Sequence, residues 1–358
     1  FEKMFAEYLG VKHAIMVNSG SSANLIALSA LSNPILKNRI KPGDEVIVPA
    51  TTWSTTVYPV VNIGAVPVLV DINLEDFNIN PKTIERAVTK KTKAIMPVHL
   101  LGNPADMAVI RKIASRYNLF IIEDACEAHG AEYRGQKVGT FGDFGTFSSF
   151  FAHHINTIEG GMVVTNNDKF AELAKILRAH GWVRDLKDRE RIAKQYPKID
   201  KRFLFVNTGY NLRPTAIQGA FGIHQMPKLE RTIKIRRENA DYWTRALSKY
   251  SDFFILPLRK EKKGDRRVWF SYPIIIRENA GFSRKELTDF LEKEGIETRP
   301  IAAGNIAEQP AMKLFKYRIA GKLTNSEIVM RRAFFFGDHQ DVGKKEREYV
   351  VKCFDKFF

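Results

Sequence analysis

Cysteine is nearly missing from this chain: Cys126 and Cys353 are the only two in 358 residues. Two thiols cannot build a disulfide framework, nor ligate an iron–sulfur cluster, which takes about four. They fit a reducing compartment, and no metal site is expected. Long apolar runs are lacking as well. None approaches the roughly 18 to 20 residues that cross a bilayer, so a soluble, cytoplasmic protein with no membrane insertion is expected. Acidic residues are in deficit, 40 against 56 basic ones, for a formal net charge of +16. Such an excess can serve nucleic acid. Here the bases are dispersed, and the runs Arg259-Lys260-Glu261-Lys262-Lys263, Arg266-Arg267 and Lys344-Lys345 have acids within or beside them. With no helix-turn-helix, zinc-finger or RNA-recognition signature, the charge reads as a solvated basic surface around sites for anionic ligands. Nucleic acid is not an expected partner. Internal repeats and low-complexity segments are absent too, and no lysine occurs between Lys137 and Lys169.

The chain does hold a 44% hydrophobic, 27% charged composition, globular and long enough for a large core plus a smaller second domain. Apolar strands are expected at residues 13–18, 44–50, 66–72, 93–100 and 119–124. Helical patterns follow the first, lie between the third and fourth over 81–88, and end near Tyr117. Alternation of this kind predicts a mostly parallel sheet covered on both faces. A hairpin is expected over 131–140, and an amphipathic helix over 168–180. Pro214 is expected to open a helix at its first turn, broken near Pro227 and running on to Tyr250. From Ser251 the pattern changes to a smaller α/β unit, with strands near 253–256, 269–276 and 296–300 and a helix over 283–294. The division is therefore a large domain over 1–225, then a long connecting helix and small C-terminal domain over 226–358.

Three places carry chemistry. Ser19-Gly20-Ser21 turns from a strand into a helix, which directs free backbone N–H groups and the positive dipole end at an anion such as a phosphate. The apolar run 119–124 ends in Glu123-Asp124, placing a carboxylate at the C-terminal edge of a buried sheet, where ligands bind in such folds. The third is Phe147-Ser148-Ser149-Phe150-Phe151-Ala152-His153-His154, followed by Glu159-Gly160-Gly161 and a re-entering strand. An imidazole there can move a proton near neutral pH.

The third stretch resembles the active-site segment of the sugar aminotransferase family (DegT/DnrJ/StrS type), pyridoxal-phosphate enzymes related to aspartate aminotransferase. In most members a lysine follows Ser by five residues and precedes Glu-Gly-Gly by six. Counting on from Ser148 and back from Glu159 both give His153. Ser149 stands where phenylalanine is usual. One branch of the family carries His-His at this place, the 3-dehydratases of nucleotide-linked 4-keto-6-deoxyhexoses. Asn207-Thr208-Gly209-Tyr210-Asn211-Leu212-Arg213-Pro214 matches a motif of that branch, and residues 299–305 and 335–340 resemble others.

The resemblance implies a fold-type-I transferase, aspartate aminotransferase-like, with further sequence ahead of Phe1. Pyridoxamine or pyridoxal phosphate would be held non-covalently, because imidazole forms no stable imine. Gly20, Ser21 and Ser148 would hold its phosphate, Trp53 would stack on its ring, and Asp124 would pair with the pyridine nitrogen. Glu127 would lie near the ring hydroxyl, where the aminotransferases have glutamine. His153 would be the base acting at the cofactor's C4′ carbon. Asn211 would reach a neighbouring cofactor phosphate in a homodimer with shared active sites, and the charged segment 183–202 would approach the partner subunit and substrate. His154, Arg213, Arg299 and His339 are substrate-side candidates, although His154 on its own reads more readily as a structural residue. His129 reads as structural, and His99 as a residue near the sheet edge. The implied reaction removes the C3 hydroxyl from a nucleotide-linked sugar, GDP-linked by resemblance with CDP or dTDP as alternatives, as in lipopolysaccharide O-antigen deoxysugar biosynthesis. L-Glutamate would renew the amino cofactor. The rivals are a sugar aminotransferase, which the missing lysine weakens, and a non-catalytic sugar- or cofactor-binding homologue.

Overall fold

The computed structural model describes residues 1–257 and 261–358; Arg259 and Lys260 of the first basic run lie outside the described residues. The large domain begins with α1 (Glu2–Leu9), β1 (His13–Val17), α2 (Gly20–Ser32), β2 (Glu45–Pro49), α3 (Ser54–Asn62) and β3 (Val66–Val70). It continues through α4 (Pro81–Ala87), β4 (Thr92–Ile95), α5 (Met107–Tyr117), β5 (Phe120–Asp124), the hairpin β6 (Glu132–Tyr133) and β7 (Gln136–Lys137), then β8 (Phe144–Ser148), β9 (Gly161–Thr165) and α6 (Asp168–Arg178).

Eight strands form its sheet in the order β1-β9-β8-β5-β4-β2-β3-β13, where β13 is Arg318–Ile319. The pairings from β8 to β13 are parallel, and only β9 runs against its two neighbours. Strands such as Glu45–Pro49 are buried at every position, as expected where helices cover both faces of a parallel sheet. The two resulting cores are separate. Ile47, Val68, Ile95 and Ile110 lie in one; Val46, Leu69, Ile26 and Leu173 lie in the other.

Local sequence sets the element ends. Asp106 caps α5 by accepting from Val109 N–H at 3.3 Å, and Asn118 closes it in the left-handed region at φ 52°, a conformation asparagine tolerates. The strand expected over 93–100 keeps regular pairing only over Thr92–Ile95. Pro97 has no N–H to give, and residues 100–102 turn into a short 3₁₀ helix.

After α6, α7 (Arg189–Ala193) and two 3₁₀ turns occupy the charged segment. It is folded back rather than loose: Val183, Leu186 and Leu204 cluster on Ile176 of α6. Next come α8 (Ala216–Gln225) and α9 (Leu229–Ala246), separated by a 3₁₀ turn at Pro227. Pro214 does not occupy the first turn of α8. Thr215 is the N-cap, in a capping box with Gln218, so proline sits one residue outside.

The small domain contains β10 (Phe254–Ile255), β11 (Ser271–Ile276), α10 (Arg284–Lys293), β12 (Thr298–Arg299), α11 (Thr324–Arg332), β14 (Ala333–Gly337) and α12 (Lys344–Phe357). Its sheet, β10-β11-β14-β12, is antiparallel throughout. Trp243 of α9, Tyr272, Phe336 and Phe354 fill its core. β13, which the sequence pattern does not place, leaves this unit to pair with β3 at the edge of the large sheet.

Candidate active site

A cavity of about 580 Å³ opens where the C-terminal ends of β5 and β8 meet the N-terminus of α2. Ser19, Gly20, Ser21, Trp53, Asp124, Glu127, Ser148, His153 and Arg299 line it. Residues named from five stretches of the sequence thus converge on one site, at the sheet edge that the fold class favours for ligands.

One end is a cradle for an anion. Ser19 caps α2, accepting from Ser22 N–H at 3.1 Å, and the first-turn amides that follow are the donors a helix leaves over. A side chain at Gly20 would put its Cβ 2.5 Å from Ser148 Cβ and 3.0 Å from Cys126 Sγ. Only glycine lets helix and strand approach this closely. The hydroxyl of Ser21 donates to Thr55 Oγ1 at 2.9 Å, adding a second hydroxyl to the rim.

Asp124, 4% exposed, is fixed at the centre. Its Oδ2 accepts from Asn24 Nδ2 at 2.9 Å and from Thr56 Oγ1 at 2.8 Å, and its Oδ1 accepts from Cys126 N–H at 3.2 Å. Asn24 is oriented in turn by Thr146, whose hydroxyl donates to Asn24 Oδ1 at 2.6 Å. Asn24 and Thr56 were not anticipated from the sequence. Asn24 falls four residues after Gly20 on one helix, hence on the same face, a spacing that could have found it. Trp53 leaves its indole 61% exposed on the cavity wall.

Glu127 accepts from Leu101 N–H at 2.6 Å. Burial raises its carboxyl to about 7, the Leu101 amide opposes that rise, and the charge of Asp124 adds to it. His153 is pushed the other way, down to about 3, first by burial and then by the positive charge of Arg236, while the Cys126 backbone favours its protonated form. An imidazole so placed is neutral at physiological pH and able to accept a proton. Its ring lies 4.9 Å from that of Phe270.

Other expected residues stand elsewhere. His154 is a correction: it does not line the cavity but is 4% exposed, with Nε2 2.9 Å from the Val268 carbonyl oxygen. His339 is another. It pairs with Asp341 at 3.3 Å beyond the end of β14, away from the cavity lining. Asn211 and Arg213 are exposed, joined to each other by a 3.2 Å hydrogen bond, and do not line this chain's own cavity. His129 packs edge-on to Phe5 in the core, as a structural residue should. His99 lies at the C-terminal edge of the sheet, its backbone N–H donating to the Asp124 carbonyl at 2.9 Å, and is fully buried there, its Nε2 3.1 Å from Glu123 Oε2 and its Nδ1 accepting from Ala105 N–H at 3.0 Å. The apolar surroundings select that pairing, since a buried imidazole needs both nitrogens satisfied.

Cradle, carboxylate and exposed indole together fit a phosphorylated aromatic cation of the size of pyridoxal phosphate. Among the described residues no group of His, Cys, Asp and Glu could hold a metal ion, and no helix is long and apolar enough to cross a membrane.

The family model of the DegT/DnrJ/EryC1/StrS aminotransferases matches residues 1–355. The lipopolysaccharide biosynthesis protein RfbH of Salmonella typhimurium is 41% identical over 372 residues, covering 100% of this chain and 84% of that protein. GDP-4-keto-6-deoxy-D-mannose 3-dehydratase of Yersinia pseudotuberculosis is 42% identical over 343 residues, covering 95% and 86%. The solved structure of the Escherichia coli 3-dehydratase of that name with bound hydrated pyridoxal phosphate superposes with a TM-score of 0.91 at 38% identity, covering 98% of this chain and 90% of that one. The chain belongs to the DegT/DnrJ/EryC1/StrS aminotransferase family.

Proposed function

We propose that this family member is a 3-dehydratase of a nucleotide-linked 4-keto-6-deoxyhexose, acting on GDP-4-keto-6-deoxy-D-mannose with L-glutamate as amine donor. One observation carries the reading: His153 lines the cavity, and among the described residues no lysine lines it. A lysine-dependent transaminase has nothing there to hold its cofactor covalently; an imidazole base has. The names and fold of the relatives support the same choice, and the aminotransferase alternative has no residue to favour it.

Bound in the cavity, pyridoxamine phosphate supplies a primary amine for the sugar ketone and an electron-withdrawing ring. The chain does the rest. The α2 N-terminus with Gly20, Ser21 and Ser148 holds the phosphate. Trp53 covers the ring, and Asp124, fixed by Asn24 and Thr56, keeps the ring nitrogen protonated. His153, neutral on the cavity wall, would be the base that accepts the proton from C4′ of the bound cofactor, and the sugar's C3 hydroxyl would leave as water. Glutamate supplies the two electrons overall, leaving as 2-oxoglutarate, while its nitrogen leaves as ammonia. Arg299, at the cavity mouth, is the contact for an anionic substrate group.

The active unit is a homodimer, and the enzyme is cytoplasmic, in keeping with two unpaired cysteines. α8 supports the dimer: its composition is apolar, yet Gly222 is its only buried residue, with Ile217 65% and Phe221 44% exposed. A second copy would cover that face and bring the exposed Asn211 to the neighbouring cavity.

The test is the absorbance spectrum with pyridoxal phosphate and glutamate, before and after borohydride. A pyridoxamine-like band with no cofactor fixed to the chain, followed by ammonia release from GDP-4-keto-6-deoxy-D-mannose, is the expected result. Trapping on a lysine would overturn it.

A further inference from the structure

α9 exposes most of its charges, as a helix of composition Leu229–Ala246 should, but Arg236 is 1% exposed. Among the described residues no carboxylate approaches its guanidinium within ion-pair distance; Asp338, the buried acid on its side, is held instead by Asn239 at 3.0 Å. A buried cation without a direct counter-ion is costly. What Arg236 touches is backbone. Its Nη1 donates to the carbonyl of Phe270 at 2.7 Å and of Trp269 at 3.4 Å, and its Nη2 to that of Ala152 at 3.4 Å.

Those carbonyls belong to the two segments that position His153. Ala152 is the residue before it. Phe270 carries the ring against its imidazole and lines the cavity. The 268–270 segment is otherwise a strained strap. Trp269 sits at φ 44°, in the left-handed region that a bulky residue avoids. Val268 and Phe270 give their N–H groups to Gly102 and Leu101 at 3.1 and 3.0 Å, and the Val268 carbonyl is met by His154. Leu101 in turn donates to Glu127. Arg236 captures the last two carbonyls of the strap and joins it to the active-site loop.

Resting on the 3-dehydratase reading, we propose that Arg236 is the positioning residue of this active site, one planar guanidinium fixing both the peptide that precedes His153 and the Phe270 strap that holds its ring. The fork geometry matters, since donors aimed at carbonyls from different segments suit a planar group better than an ammonium. The charge has a second effect. His153 faces His129 and Cys126 from the segment after β5, His154 from its own loop, and Arg236 from α9, and it shares the cavity with Asp124, Glu127, Glu159 and Arg299. Of these, Arg236 is the cation that disfavours a proton on its ring. Together with burial, the larger cause, it holds the ring neutral at rest.

Arg236→Lys and Arg236→Met separate the two effects. Lysine keeps the charge and loses the fork. It is expected to leave the His153 titration, read by NMR of ¹³C-labelled histidine, where it is in the wild type, while kcat for ammonia release falls roughly 10- to 100-fold, the scale of an ångström-sized misplacement, with KM little changed. Methionine removes both, so the His153 midpoint should also rise, by about one unit or more. Wild-type kcat in Arg236→Lys, or an unmoved midpoint in a folded Arg236→Met, would overturn the proposal. If Arg236→Met does not fold, Arg236→Lys decides alone. A wild-type enzyme that releases no ammonia would sink the dehydratase reading instead, and the titrations would still report on Arg236.

Discussion

Replacing Gly20 by alanine tests the phosphate cradle at its tightest point. The added Cβ would lie 2.5 Å from Ser148 Cβ and 3.0 Å from both Ser148 Oγ and Cys126 Sγ. Carbon atoms rest at about 3.5 to 4.0 Å, so helix and strand must part by about 1 Å. In open space the substitution would stabilise a helix by up to about 1 kcal/mol. Here overpacking costs about 1 to 3 kcal/mol and outweighs that gain over most of its range, for a fall in Tm of up to about 4 °C in a chain of 358 residues. Parting the two elements also withdraws either the Ser148 hydroxyl or the first-turn amides from the phosphate. Losing one hydrogen bond to a charged group, at about 1.5 to 3 kcal/mol, weakens cofactor binding roughly 10- to 150-fold. Titrating pyridoxal phosphate against the fluorescence of the chain, with Trp53 on the cavity wall, measures the second effect, and a melting curve the first. A Gly20→Ala protein that melts higher and binds as tightly as the wild type would refute both the crowding and the seat of the phosphate.

Glu127 offers a pH signature in the cofactor-free chain. Its folded value of about 7 lies above the unfolded one, so the folded state binds the extra proton between them and stability declines as pH rises through that window. Urea unfolding at pH 5 and pH 8 should show wild type losing about 1 to 3 kcal/mol relative to Glu127→Gln; parallel behaviour of the two proteins would contradict the assignment. The double variant Ile217→Asp, Phe221→Asp on α8 should sediment at half the wild-type mass and lose more than about 90% of ammonia release, since an interface of desolvated aromatic and aliphatic anchors does not tolerate buried carboxylates. A dimer that survives both charges would place the interface elsewhere.

Much of the site was legible in the sequence because its residues sit at element ends. Asp124 closes an apolar run, Gly20 opens a helix, and His153 keeps fixed spacing to Ser148 and to Glu159-Gly160-Gly161; each is a local signal. Parallel strands such as Val66–Val70 were legible for the same reason. Arg236 was not, because α9 contains Arg231, Arg236 and Arg237 in one charged stretch and only tertiary packing decides which is buried. Of the two readings open to His154, the structural one fits its place: beside the base in sequence, it meets the Val268 carbonyl instead of the cavity. Two-residue strands such as Arg318–Ile319 carry no periodicity at all.

That short strand has a bearing on how the polypeptide is made. The apolar edge of β3 is completed by residues 318–319, and Arg318 reaches over to Glu45 at 2.9 and 3.0 Å. During synthesis β3 leaves the ribosome far ahead of its last neighbour, and at about 5 to 20 residues per second its open edge waits for many seconds. An unpaired apolar edge is a template for joining other chains. The nascent large domain is therefore most vulnerable to aggregation while the small domain is still being translated, and a fragment ending near residue 225 would carry that vulnerability permanently.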